Sequence, residues 1–302
     1  MKLSLKSIKV AVEITSYCNL SCNMCPYASM KREKKHIELE MLYKMHKIIR
    51  DNSLKVRWLH EMGEPLLYPN LEEALTLFPE AMLSTNGVLL EGEKADIILR
   101  SKIRLVRICI DSLNEEAYKV LRRGGDFKRV LKNTKEFLNL SKGKNIQIEI
   151  QKMVSKITKD EKISDFEKFF NKKNFDNLKI IEKICEGLDT TDETELHKKY
   201  AGCFQGGPFN WLIFLSNGKI THCCYDYEGI QAIGNVNEPF EKVIKSQKLE
   251  ELKIAFEEKN FDKFPVCKNC FKYNEEIFTP PPFVFKILRK LPFKNKLRKW
   301  FL

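Results

Sequence analysis

The residues with most capacity for chemistry are cysteines, ten in 302 residues, and they fall in short clusters instead of spread pairs. Cys18-x3-Cys22-x2-Cys25 puts three thiols in one loop. Three thiolates this close can hold three irons of one [4Fe-4S] cube and leave the fourth iron open. A closed zinc site would want a fourth ligand, and His36 is the nearest candidate. Three unrelated thiols are the remaining reading, and spacing alone leaves all three open. Farther on, Cys203, Cys223 and the close pair Cys267-x2-Cys270 make a reasonable four-thiolate set. By itself that set suits a zinc ribbon slightly better than an iron–sulfur cluster. Clustered cysteines in a large chain point to metal in a reducing compartment, not to disulfides.

Such ligands need a scaffold, and residues 9 to about 185 alternate strand-like and helix-like patterns. Strands are predicted at Lys9–Thr15, Val56–His60, Ala81–Thr85, Leu105–Ile110, Ile146–Met153 and Leu178–Ile184. Helices are predicted at Glu38–Arg50, Asn70–Phe78, Glu91–Ser101, Asn114–Leu121, Phe127–Leu140 and Asp160–Asn171. Six βα repeats imply a parallel α/β sheet, either doubly wound or curved into a partial barrel. After about residue 190 the composition shifts to Cys, Gly, Pro and aromatics. Ile213–Leu215 and Lys219–His222 flank Ser216-Asn217-Gly218 as a hairpin, and one helix is predicted over Pro239–Glu257. This part reads as a small domain held by metal more than by a core. The divisions are residues 1–197, 198–280 and a tail at 281–302.

The net charge of +12 is concentrated in that tail. Phe283 to Leu302 hold seven basic residues and no acid, and without them the excess falls to +5, ordinary for an enzyme. Nucleic acid is therefore not the expected partner. Ile287, Leu288 and Leu291, then Leu297, Trp300 and Phe301, form apolar faces opposite Lys and Arg. That pattern suits peripheral contact with an anionic membrane surface, a helix packed on the barrel, or a basic end without structure. No apolar run is long enough for a membrane span or a signal peptide, so the chain is expected in the cytoplasm.

Polar motifs end the strands. The second is followed by His60-Glu61-Met62-Gly63-Glu64-Pro65, the third by Ser84-Thr85-Asn86-Gly87, the fourth by Cys109-Ile110-Asp111-Ser112. Parallel α/β folds bind ligands at that edge. Each motif alone could be a turn; three in order behind a cysteine triplet are not independent.

With these motifs the sequence resembles the radical S-adenosylmethionine (SAM) superfamily. The triplet matches its cluster loop, Glu61-Met62-Gly63-Glu64-Pro65 resembles its Gly-Gly-Glu-Pro motif, and Ser84-Thr85-Asn86-Gly87 matches the usual end of its third strand. The resemblance implies a partial (β/α)6 barrel over about residues 8–190. It also implies that Cys18, Cys22 and Cys25 hold a [4Fe-4S] cluster whose open iron chelates SAM. Met24, Gly63, Glu64, Pro65, Thr85, Asn86, Cys109 and Asp111 are then the SAM-contacting positions. SAM would be cleaved to a 5′-deoxyadenosyl radical that abstracts hydrogen from substrate, with a flavodoxin- or ferredoxin-type donor supplying the electron. Three positions depart from the pattern: Met24 replaces an aromatic residue, Met62 replaces the first Gly, and Cys109 stands where Ser is frequent.

Cys203, Pro208-Phe209, Gly218 to Cys223, Asp226 and Ile233-Gly234-Asn235-Val236 resemble the start of a SPASM domain, which carries auxiliary iron–sulfur clusters. Cys270 is the last cysteine, so the pattern is similar to the shorter twitch version found in aminocyclitol dehydrogenases. That implies Cys203, Cys223, Cys267 and Cys270 as ligands of one auxiliary [4Fe-4S] cluster with no open iron. An adjacent electron acceptor suits oxidation of a sugar, cyclitol or similar polar molecule. A peptide maturase or radical epimerase is the second reading, and a zinc protein binding nucleic acid the third.

Cys109, Cys185 and Cys224 are left over, either as small buried hydrophobes or, for Cys185 and Cys224, as hydrogen-atom donors of an epimerase. His60 is either a general base or a hydrogen-bonded loop residue. Asp111 either orients SAM or substrate, or caps the next helix. Arg122-Arg123-Gly124-Gly125 either binds a carboxylate or phosphate, or is a solvated turn.

Overall fold

The computed structural model describes residues 8–184, 202–203, 210–270 and 273–274. Its first part runs β1 (Lys9–Val12), α1 (Leu39–Asp51), β2 (Lys55–Trp58), α2 (Leu71–Leu77), β3 (Met82–Thr85), α3 (Gly92–Arg100) and β4 (Leu105–Asp111). It continues through α4 (Glu115–Leu121), α5 (Phe127–Leu140), β5 (Gln147–Val154), α6 (Ile163–Phe169) and β6 (Leu178–Ile184). Strands β1 to β6 pair in sequence order and all in parallel. The expected α/β partial barrel is present.

Apolar periodicity drives this. Helix α1 buries Leu42, Met45 and Ile49, and α5 buries Val130, Phe137 and Leu138. These share one core with Ile108, Ile148 and Ile150 of the strands. Each such side chain contributes about 1.5–3 kcal/mol on burial. Capping starts the helices: Asn114 Oδ1 accepts from Ala117 N–H at 2.9 Å, and Asp126 Oδ1 from Arg129 N–H at 3.0 Å. The cap of α4 is therefore Asn114, not Asp111.

The second part holds β7 (Gly202–Cys203), β8 (Trp211–Phe214), β9 (Lys219–Thr221), β10 (Gly234–Asn235), α7 (Phe240–Ile244), α8 (Gln247–Glu258), α9 (Pro265–Lys268) and β11 (Tyr273–Asn274). Strands β8 and β9 form the predicted antiparallel hairpin, with Gly218 at φ +83° in its turn. Strand β8 also lies parallel to β1, on the side away from β2. One nine-stranded sheet results, in the order β10-β9-β8-β1-β2-β3-β4-β5-β6. Leu212, Phe214, Ile220, Phe240 and Leu249 belong to the same core as the barrel. The second part is thus built on apolar packing and sheet continuity, not on metal alone.

The helix predicted over Pro239–Glu257 is two helices. Ser246 takes an extended conformation (ψ 145°) and its Oγ accepts from Leu249 N–H at 3.4 Å. A serine hydroxyl competing for the backbone donor ends one helix and starts the next. The boundary near residue 197, Cys185, and the tail at 281–302 with its proposed membrane face lie outside the described residues. Among the described residues, no helix is long and apolar enough to cross a membrane.

Candidate active site

The triplet follows β1 directly, at the carboxyl edge of the sheet. Its loop is held by protein contacts. Cys18 N–H donates to Tyr27 Oη at 3.0 Å, and the same hydroxyl donates to Cys18 O at 3.1 Å. Ser21 N–H donates to Arg123 O (2.9 Å) and Asn23 N–H to Leu121 O (3.2 Å). The Arg122–Gly124 segment is a turn with Arg123 and Gly124 exposed, and the carbonyls of Leu121 and Arg123 clamp the cysteine loop. Cys18, Cys22 and Cys25 share one cavity with Glu64, Thr85, Asn86, Cys109 and Arg122, about 520 Å³ of non-atom space partly open to solvent.

Burial pushes the Cys18 thiol up to about 12, with a Leu20 N–H bond opposing and Glu64, Cys22 and Cys25 adding to the rise. A buried thiol such as Cys18 gives up its proton more readily to a bound cation, which is the chemistry of an iron–sulfur ligand.

Glu64 is the second feature. It is 2% exposed, and its carboxylate accepts from Leu66 N–H (3.1 Å), Thr85 Oγ1–H (2.8 Å) and Asn86 N–H (2.7 Å). Burial raises its pKa and those three bonds oppose the rise. Gly63 precedes it at φ +84°, where a Cβ would stand 2.5 Å from Thr15 O and 2.7 Å from Tyr17 O. Only glycine fits this approach. Pro65 starts the short helical turn Pro65–Leu67 that Glu64 caps. A buried carboxylate whose hydrogen-bond partners are all neutral suits a cationic ligand group.

Asp111 has φ +69° beside a bulge in β4, and is fully buried. It accepts from Gln151 Nε2 at 2.9 Å and from Arg122 Nε at 2.5 Å. Arg122 Nη1 in turn reaches Cys22 Sγ at 3.6 Å. Asp111 thus acts through Arg122, which lines the cavity. Cys109 pairs with Ser84 Oγ at 3.3 Å on the cavity wall. Met24 packs on Leu121 and Met153.

His60 lines the cavity, edge-on to Trp58 with centroids 4.8 Å apart. Its buried Nδ1 has no partner among the described residues. Burial, with Arg107 and Lys183 nearby, lowers its pKa to about 3. The unfolded chain therefore binds the extra proton first: stability is full above about pH 6.5 and falls as pH drops toward 3. Between pH 6.5 and 5 that amounts to about 2 kcal/mol. A His60→Gln protein should lose correspondingly less on acidification in paired denaturant titrations at the two pH values. Equal losses in both proteins would refute the assignment.

Cys203, Cys223 and Cys270 lie near enough to Cys267 to act on its charge. Burial pushes Cys267 up to about 12; Gln231 opposes, and Cys223, Cys203 and Cys270 add their repulsion. Gln231 Oε1 accepts from Val266 N–H (2.6 Å) and Cys267 N–H (3.3 Å), and its Nε2 donates to Cys267 Sγ at 3.4 Å. Asp226 orders the intervening loop by accepting from Thr221 Oγ1, Ile230 N–H and Gln231 N–H at 2.6–3.0 Å. Cys224 forms a hydrogen bond with Cys223 and packs with Trp58 on the Ala11, Ile213, Leu215 cluster.

A family model for the radical SAM superfamily matches residues 12–150, and one for an iron-sulfur cluster-binding domain, SPASM, matches 203–271. The chain belongs to the radical SAM superfamily. As a radical SAM enzyme with a C-terminal SPASM-type domain, it uses SAM, a [4Fe-4S] cluster and an auxiliary cluster; the two cysteine sets are chemically suited to hold them.

GTP 3′,8-cyclase of Clostridium botulinum is 27% identical over 165 residues, 51% of this chain and 50% of that protein. The chain spans about half the length of the curated relatives it matches. In fold it is similar to SuiB of Streptococcus suis bound to S-adenosylmethionine (TM-score 0.61, 18% identity, covering 80% of this chain and 66% of that one). It is also similar to BtrN in complex with AdoMet and 2-DOIA (TM-score 0.55, 16% identity, covering 90% and 95%).

Motif reading of this radical SAM enzyme left the roles of Tyr27, Gln231, Glu13 and Arg32 unseen. The one available signal was Glu13, a charge inside the apolar run Val10-Ala11-Val12-Glu13-Ile14.

Proposed function

We propose that this enzyme removes hydrogen from a polar small molecule, a sugar, cyclitol or similar compound, and oxidises it. The match of residues 203–271, which contain Cys203, Cys223, Cys267 and Cys270, to an iron-sulfur cluster-binding domain carries the reading. Four thiolates satisfy all four irons of a cube and leave none for substrate, which suits an electron acceptor. When bound, the clusters and SAM supply a 5′-deoxyadenosyl radical and that acceptor.

The chain's own residues bind and orient. Cys18, Cys22 and Cys25 would hold the SAM-chelating cluster. Glu64 would take the SAM amino group, with Thr85 and Asn86 fixing its carboxylate. Arg122, held by Asp111, has guanidinium donors for a carboxylate. Outside the cavity lining, Arg107 bonds Glu149 at 2.7 Å and lies 4.6 Å over Trp58, which packs on His60. The cavity lining itself carries the polar side chains of Glu64, Ser84, Thr85, Asn86, His60 and Arg122, which suits a hydroxylated substrate better than an apolar one. BtrN, similar in fold over 95% of its length, was solved in complex with AdoMet and 2-DOIA, which favours a small bound molecule. A flavodoxin- or ferredoxin-type protein would be the electron donor.

A peptide substrate is the second reading, favoured by similarity to SuiB solved with its precursor peptide SuiA (TM-score 0.58). Fractionated cell extract separates the two. Small molecules should stimulate 5′-deoxyadenosine release and yield a product lighter by two hydrogens. Stimulation by the peptide fraction alone would overturn oxidation of a small molecule.

A further inference from the structure

Glu13 is fully buried at the end of β1, and Arg32 lies a short way beyond Cys25. Arg32 Nη1 and Nη2 donate to Glu13 Oε1 and Oε2 at 2.7 and 2.9 Å. Glu13 Oε1 also accepts from the hydroxyl and N–H of Ser216, at 2.6 and 3.1 Å, in the β8–β9 turn. Glu13 Oε2 accepts from Met62 N–H at 3.2 Å, one residue before Gly63. Arg32 Nε donates to Tyr227 O at 2.8 Å. The Glu228 carboxylate accepts from the backbone N–H groups of Lys31 and Arg32, both at 2.7 Å. Tyr227 and Glu228 follow Cys223 by a few residues, and Asp226 N–H donates to Cys223 O at 3.0 Å.

One ion pair therefore binds four segments: β1, the chain leaving the triplet, the Met62-Gly63-Glu64 motif, and the auxiliary part at Ser216 and Tyr227–Glu228. We propose that Glu13 and Arg32 are positioning residues that set the spacing between the two clusters. The inference rests on the two-cluster reading above. Stability alone does not explain the pair, because a buried ion pair is often no better than an apolar pair of similar volume. What a fully bonded bidentate pair adds is a single geometry. Electron transfer between the two parts needs that fixed geometry, and the other buried pair at the triplet, Arg122–Asp111, has its further contacts at Cys22 and Gln151, within the first part.

The test is a double variant, Glu13→Leu with Arg32→Met, so that no charge is left buried alone. Iron content of anaerobically purified protein should stay at the wild-type value. Pulsed EPR of dithionite-reduced protein should show the sharp inter-cluster coupling replaced by a broad distribution. Arrival of electrons at the auxiliary cluster after reduction should slow relative to wild type, because the inter-cluster distance is no longer single. Ser216→Ala, which removes one bond to Glu13, should move both readouts the same way by less, and decides the matter if the double variant does not fold. Full iron with wild-type coupling in these variants overturns the inference alone. Wild-type protein with only one cluster overturns the two-cluster reading and the inference together.

Discussion

Cys22→Ala protein should contain about half the wild-type iron and release no 5′-deoxyadenosine above background when given SAM and dithionite. Two thiolates remain in that loop, and a cube with two protein ligands is not retained. Arg122 also loses the sulfur it reaches at 3.6 Å. Cys270→Ala is the contrasting variant: it should lose auxiliary iron yet keep the SAM cleavage that the first cluster supports. Cys109→Ala should keep both iron and cleavage, because Cys109 pairs with Ser84 on the cavity wall and is outside the triplet. Iron analysis and chromatography of the nucleoside product read all three. Wild-type cleavage by Cys22→Ala would remove the triplet from the centre of the chemistry.

What could be read from the sequence was local. Cys18, Cys22 and Cys25 sit within one loop, so spacing alone suggests a shared metal. The strand-end motifs were visible because the apolar strands before them mark the edge where side chains converge. The features missed are those made by distant residues. Arg32 meets Glu13, Ser216 and Tyr227, and no local pattern links those positions. The β8–β1 pairing is likewise non-local, and strand order does not follow from the alternation of elements. Because that pairing was unseen, the second part read as a metal-held appendage. Asp111 was weighed as a cap for want of its positive φ, which the bulge in β4 imposes and which turns its carboxylate to Arg122. The break at Ser246 escaped for the opposite reason: the apolar period runs through it while one hydroxyl overrides the helix.

Glu64→Gln should weaken SAM binding by about 10- to 100-fold, the effect of losing a hydrogen bond to a charged group, about 1.5–3 kcal/mol. Iron content should not change, since no thiol is touched. The magnitude follows from the surroundings. Glu64 is almost wholly buried, and its hydrogen-bond partners Leu66, Thr85 and Asn86 are neutral donors. They fix its direction without neutralising it, so an arriving ammonium group meets a carboxylate little screened by water. A glutamine amide at the same place loses the charge and turns an NH2 toward donors. Glu64→Asp keeps the charge but withdraws it by one methylene, so it should recover part of the affinity. Binding of SAM to anaerobic holoprotein, followed by calorimetry or equilibrium dialysis, measures each. Affinity within twofold of wild type in Glu64→Gln would mean that the amino group of SAM is held elsewhere. The cradle made by Gly63 would then serve the backbone path only, since its close approach to Thr15 O and Tyr17 O is needed in either case to bring Glu64 to the cavity.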